Sequence, residues 1–122
     1  MQIIKSFTAT TAIAHRRQVK FATNDGEVAL ATAPTDLVVG VSDCPGGAAI
    51  GERVDIVMLG ETELDMGGTV AAGAFFTADA NGKGVACAPT AGNNARAGGI
   101  MMVGAVSGDV SRVLVTPSRP QG

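Results

Sequence analysis

Short apolar, β-branched runs alternate with glycine-rich breaks along most of the chain. Residues 38–41, 54–59, 75–77 and 85–87 are such runs, and none has the length or the spacing of an amphipathic helix. Strands of this size, separated by turn signals every ~8–12 residues, predict an all-β sandwich or small barrel. Residues 18–22 alternate polar and apolar, Asn24-Asp25-Gly26 is a turn, and residues 27–32 run back. Asp-Gly between alternating segments predicts a hairpin, because the tight turn needs positive φ. Asn81-Gly82, between residues 75–79 and 84–88, predicts a second hairpin. Ser107-Gly108-Asp109, between residues 99–106 and 110–116, predicts a third. Residues 37–41 are nearly all apolar, as expected of a strand covered on both faces. Residues 53–59 form a strand that continues past a bend at Gly60, with Glu61, Glu63 and Asp65 at alternate positions on one face. Three hairpins and the strands between them predict a mainly antiparallel β domain over residues 17–116. Residues 1–16 read as an extended N-terminal arm or as the first strand. Residues 117–122, with two prolines that remove ladder donors, read as an irregular C-terminal tail.

Composition adds one thing to this pattern. Hydrophobic residues make up 46% of the 122, yet the aromatic set is four phenylalanines, with no tryptophan and no tyrosine. A core without large aromatic anchors gains less burial per residue, which favours association with further copies or a partner. The apolar run 99–106 is a candidate for burying its second face in that way. Net charge is −2, which gives no basic face for nucleic acid. No apolar run approaches the ~18 residues of a membrane helix, and the first 18 residues lack the apolar core of a secretory signal. The expected home is the cytosol. Cys44 and Cys87 form no CxxC pair and are expected to stay reduced there.

Reactive constellations are absent from the pattern. Gly82-Lys83-Gly84 departs from the phosphate-loop motif, with Thr77 where its first glycine belongs and Gly84 where Ser or Thr belongs. The lone histidine, His15, stands beside Arg16 and Arg17, which disfavour a metal. Asp43 and Cys44 have no partner at ligand spacing, and Glu61, Glu63 and Asp65 lack a calcium-loop pattern. A Cys–His nucleophile pair or a Glu61/Asp65 glycosidase pair has no local support. The reading is therefore no catalytic residue, no cofactor and no metal. The one alternative with a residue to carry it is a carrier domain, with Lys83 near a hairpin tip.

The segments Val39-Gly40-Val41-Ser42, Gly51-Glu52-Arg53-Val54-Asp55-Ile56-Val57 and Gly67-Gly68-Thr69-Val70-Ala71-Ala72-Gly73-Ala74 share a rhythm with residues 77–85 and 104–115. Over residues 17–118 this rhythm resembles the capsid decoration, or head cement, proteins of tailed phages. The resemblance implies a β-tulip-like barrel that binds the outside of an assembled head and stabilises it, with the major capsid protein as partner. It implies a homotrimer on the virion exterior, assembled in the host cytoplasm, with no enzymatic role. In that setting Ile3, Ile4 and Phe7 become candidate apolar anchors for the capsid or a neighbouring subunit. Arg16 and Arg17 become candidates to pair with acidic groups at the root of the arm.

Overall fold

The computed structural model describes residues 2–33, 36, 38–87 and 97–118, and none of them is helical. Nine strands are present: β1 Ile3–Ala9, β2 Gln18–Phe21, β3 Glu27–Leu30, β4 Val38–Ser42, β5 Arg53–Asp65, β6 Phe75–Ala78, β7 Gly84–Ala86, β8 Ala97–Met101 and β9 Val110–Ser118. β5 is the common member of two sheets. Its first half lies antiparallel to β1 (Ile4 opposite Val57, Thr8 opposite Arg53) and to β4 (Val41 opposite Val57). Its second half lies antiparallel to β9, from Gly60 opposite Val115 to Asp65 opposite Val110. Gly60, at the change of partner, has φ +110°, a conformation that costs any residue with a Cβ. The bend expected at Gly60 is thus the point where one strand passes from sheet to sheet.

The order β1-β3-β2-β4-β5, with β1 returning to β5, closes a five-stranded barrel. β5-β9-β8-β6-β7 forms the second sheet. The barrel is mainly antiparallel, as expected, with one exception: β1 and β3 run parallel (Thr8 opposite Glu27, Ala9 opposite Val28). Five strands cannot alternate direction all the way round a closed ring, so one parallel pair is forced.

The hairpins at β2–β3 and β6–β7 form where the turn residues stand, with positive φ at Gly26 and Gly82. The third differs from expectation. β8 ends at Met101, and residues 102–109 loop out before β9 with one bridge, Ala105 to Val70. β6 begins at Phe75, opposite Ile100, so beyond Met101 there is no ladder partner on that side. The C-terminal boundary also moves. β9 continues through Pro117 to Ser118, because Gly98 opposes two residues there, a bulge that spares Pro117 a ladder donor. Residues 88–96 and 119–122 lie outside the described residues; they take in the last residue of the expected strand 84–88, the polar stretch 89–96 and the end of the tail.

Two cores follow from the pleat. Ala9, Ile13, Val19, Val28, Val39, Ala48, Val54 and Ile56 fill the barrel. Val41 and Val57 instead join Leu64, Met66, Val70, Phe76, Met101, Ala105, Val113 and Val115 under the second sheet. The register shift in β2–β4 leaves Val39 unopposed, which breaks the alternation and lets Val39 and Val41 serve different cores. β4 is buried along its whole length, as its unbroken apolar run predicts. Gln18 sits at the junction of the two units. It is fully buried, and its Nε2 donates to the carbonyls of Thr77 (2.8 Å) and Lys83 (3.2 Å).

Candidate docking surfaces

Residues 3–9 form a strand of the subunit's own barrel, so of the two sequence readings the structure shows the first strand. Ile13, in the segment read as an extended arm or first strand, is buried and exchanges two backbone hydrogen bonds with Ala48 (2.9 and 2.8 Å). β1 is nevertheless unlike the other barrel strands. β3 covers it only at Thr8 and Ala9, so among the described residues 3–7 have a sheet neighbour on the β5 side alone. Among the described residues no strand covers their outer edge. Ile3 lies opposite Leu59 and Ile4 opposite Val57, with the register slipping by one between them. Ile3, Ile4 and Leu59 are each about two-fifths exposed (40, 42 and 42%), apolar side chains near this edge. Leu59 had no signal in the sequence to mark it, since it reads as one more residue of a buried strand.

Phe7 belongs elsewhere. It packs edge-on against the exposed ring of Phe21, centroids 5.8 Å apart at 70°, and against the barrel core. Arg16 and Arg17 converge on one carboxylate, Asp65: Nε of Arg16 donates to Oδ1 at 2.9 Å and Nε of Arg17 to Oδ2 at 3.1 Å. The backbone closes the same contact, with the Asp65 amide donating to the Arg16 carbonyl at 3.0 Å. Arg16 itself has φ +60°. The two arginines therefore fasten the β1–β2 connection to the end of β5 in their own subunit. The five candidate contact residues read from the sequence fall into three places: the exposed pair Ile3 and Ile4, the Phe7–Phe21 pair and the Asp65 clamp.

A cleft of about 300 Å³ is lined by Gln2, His15, Arg16, Asp43, Glu61, Thr62, Glu63 and Arg112, with Arg112 3.9 Å from Glu61. Nδ1 of His15 accepts the Cys44 backbone N–H at 3.0 Å, while the Cys44 thiol lies 3.9 Å from the Ile13 carbonyl. Burial, with further help from the carboxylates of Asp43 and Asp55, pushes the Cys44 thiol up; burial alone does the same for Cys87. Both shifts run opposite to those of a nucleophilic cysteine. Both thiols are free. Among the described residues no three His, Cys, Asp or Glu side chains are placed to hold a metal ion. Lys83 is half-buried in the β6–β7 turn. Its N–H donates to Oδ1 of Asp79 at 2.9 Å, and Asn81 donates to the same oxygen at 2.8 Å.

No protein-family model matches the chain, and no curated protein matches it. Among solved structures, the chain is similar to the N base of the head fibre gp8.5 of bacteriophage phi29. The match has a TM-score of 0.71 at 16% sequence identity and covers 100% of both chains. The fold of this chain, end to end, is thus one also used by a protein of a tailed-phage head.

Proposed function

We propose that this chain is a structural protein of a tailed-phage head, a decoration or cement protein that binds the outer surface of the capsid and stabilises it. The observation that carries the reading is the full-length fold match to a head fibre base. In this reading the partner is the major capsid protein, the working unit is a homotrimer, and the protein resides on the virion exterior after assembly in the host cytoplasm. The outer edge of β1, near Ile3, Ile4 and Leu59, supplies the contact between subunits. A neighbouring chain adding a strand there would satisfy backbone groups that no strand covers among the described residues of the single subunit. Weak contacts suffice for such a protein, because many copies on one lattice gain from avidity.

The test is cosedimentation of the purified protein with heads assembled without it. Saturable binding at a fixed ratio to capsid protein is expected, together with slower disassembly of the decorated heads on heating. Absence of binding at micromolar concentration refutes the reading. Sedimentation velocity checks the trimer, and an Ile3→Asp/Ile4→Asp variant is expected to shift it towards monomer.

A further inference from the structure

The loop that replaces the expected strand between β8 and β9 displays a second apolar surface. Met102, Val103, Val106 and Val110 are about half exposed (45, 56, 51 and 46%), close together in sequence. Residues 70–73 lie against this loop. Val70 and Ala105 exchange backbone hydrogen bonds at 2.9 and 3.0 Å, and both side chains are buried beneath the loop. The only ionisable side chain in segments 67–74 and 102–110 is Asp109. Its Oδ2 accepts the Val106 N–H at 3.1 Å, so its carboxylate is engaged in closing the turn.

This end of the second sheet is held in place. The Gly108 N–H donates to the Met66 carbonyl at 2.9 Å, and the Met66 N–H to the Asp109 carbonyl at 2.8 Å. The Met102 N–H donates to the Arg112 carbonyl at 3.2 Å, and the Ser111 hydroxyl to the Val103 carbonyl at 3.2 Å. The valines are therefore presented on a fixed frame, and docking them needs little ordering of the chain.

We infer that this tip, residues 67–74 with 102–110, is the face that seats on the head shell, and that its occupant is an uncharged apolar depression on the shell protein. The inference rests on the head-surface reading above and says which face does the binding. Charge selects the occupant. Neither segment carries a lysine or arginine. Arg112, beside the loop, and Lys83, beside Gly67, lie outside both, so the segments themselves offer no cation to a phosphate backbone or an anionic lipid headgroup. Its area separates the shell from a second copy. Four side chains of this size, each about half exposed, offer on the order of 300 Å², against the roughly 800 Å² per partner that a stable interface buries. An apolar contact that small holds only when it is repeated, as it is when a trimer sets three tips on a lattice.

The experiment is cosedimentation with heads assembled without this chain, comparing wild type with Val103→Asp/Val106→Asp. Both substituted positions are exposed, and circular dichroism and sedimentation velocity of the variant check fold and oligomeric state. Should the aspartates unfold the tip, Val103→Thr/Val106→Thr is the milder pair. The expected result is unchanged fold and oligomer, with head binding weakened on the order of tenfold or more. A variant that binds heads as wild type does overturns the inference and leaves the head-surface reading standing. A variant that falls to a smaller oligomer overturns it by assigning the tip to contacts between copies. Wild-type binding to phosphatidylcholine vesicles, lost in the variant, overturns it in favour of a lipid surface. If the wild type fails to bind heads at all, the head-surface reading falls, and this inference with it.

Discussion

Two hairpin glycines with nearly the same backbone offer a quantitative test of how the barrel and the second sheet are joined. Gly26 has φ +78° and Gly82 φ +75°, so alanine at either position meets the same left-handed cost of about 1–2 kcal/mol. Reduced freedom of the unfolded chain offsets about 0.4–1 kcal/mol of that. The surroundings then separate them. A Cβ on Gly26 meets nothing within 4 Å, whereas on Gly82 it lies 2.6 Å from Leu30 Cδ1, 3.1 Å from the Gln18 carbonyl oxygen and 3.3 Å from that of Ala31. Leu30 can move its terminal methyl, but two backbone oxygens of the barrel cannot step aside. The Gln18 N–H also donates to the Gly82 carbonyl at 2.8 Å, so the turn is tied to the barrel where the methyl would push. Overpacking of this kind adds about 1–3 kcal/mol.

Gly26→Ala is thus expected to cost about 0.5–1 kcal/mol and Gly82→Ala about 2–4 kcal/mol. For a domain of this length, each kcal/mol corresponds to a fall of roughly 3–5 °C in Tm. With no tryptophan or tyrosine, unfolding is best followed by far-UV circular dichroism or calorimetry, at one fixed protein concentration because association shifts apparent stability. Equal losses for the two variants would refute the reasoning, since they would mean that the β6–β7 turn is not seated on the barrel.

Asp65→Asn removes the carboxylate that both Arg16 and Arg17 address and is expected to cost about 1–2 kcal/mol in chemical denaturation, allowing for partial exposure. Glu61→Gln, whose Arg112 partner is 3.9 Å away at the surface, is its control, expected within about 0.5 kcal/mol of wild type. Burial tends to raise the Asp36 carboxyl, but the Thr32 N–H at 2.9 Å and Lys20 at 3.2 Å outweigh it and hold the group below the ordinary carboxylate value. A depressed folded pKa stabilises above about pH 4 and is lost as the pH falls through the folded value. Asp36→Asn is therefore expected to flatten the acid limb of the stability–pH curve below about pH 4, and an unchanged limb counts against it. Cys44 and Cys87, both pushed up, are expected to react with iodoacetamide at pH 7.5 more slowly than free cysteine and to speed up with pH. Reaction as fast as free cysteine contradicts that.

What the sequence made legible was local. Asp25-Gly26 and Asn81-Gly82 specify their turns because the required φ is itself a sequence property. β4 could be read as doubly covered because a run without polar residues has no face left for water. Closure of the barrel through β1 and β5 had no such signature, since it joins Ile3 to Leu59 and Thr8 to Arg53 across long separations. The parallel pair follows from that closure and was hidden with it. Ile13 was hidden for a related reason. Its neighbours are threonines and alanines with no period, and it is buried because Ala48, far along the chain, receives it.

The docking surfaces were legible only as hydrophobicity, and hydrophobicity does not say which side of the surface a residue occupies. Ile3 and Ile4 stand in an apolar run and are displayed; Val54 and Ile56 stand in another and are buried. The difference is whether a neighbouring strand arrives. β5 has a partner on each side at Ile56 and Val57, and β1 also covers Val54, whereas among the described residues no strand covers the outer edge of β1 before Thr8. The same rule turned residues 99–106 from one expected strand into two things. Up to Met101 the run is laddered between β6 and β9; past it, β6 has not begun and the contact with β9 is reduced to the Met102 N–H on the Arg112 carbonyl. Val103 and Val106 are left outside a ladder, held by Val70 and by the Asp109 turn, with their side chains in solvent. Among the described residues, the outer edge of β1 and the end of β8 are two places where strands run out of partners and apolar side chains reach solvent.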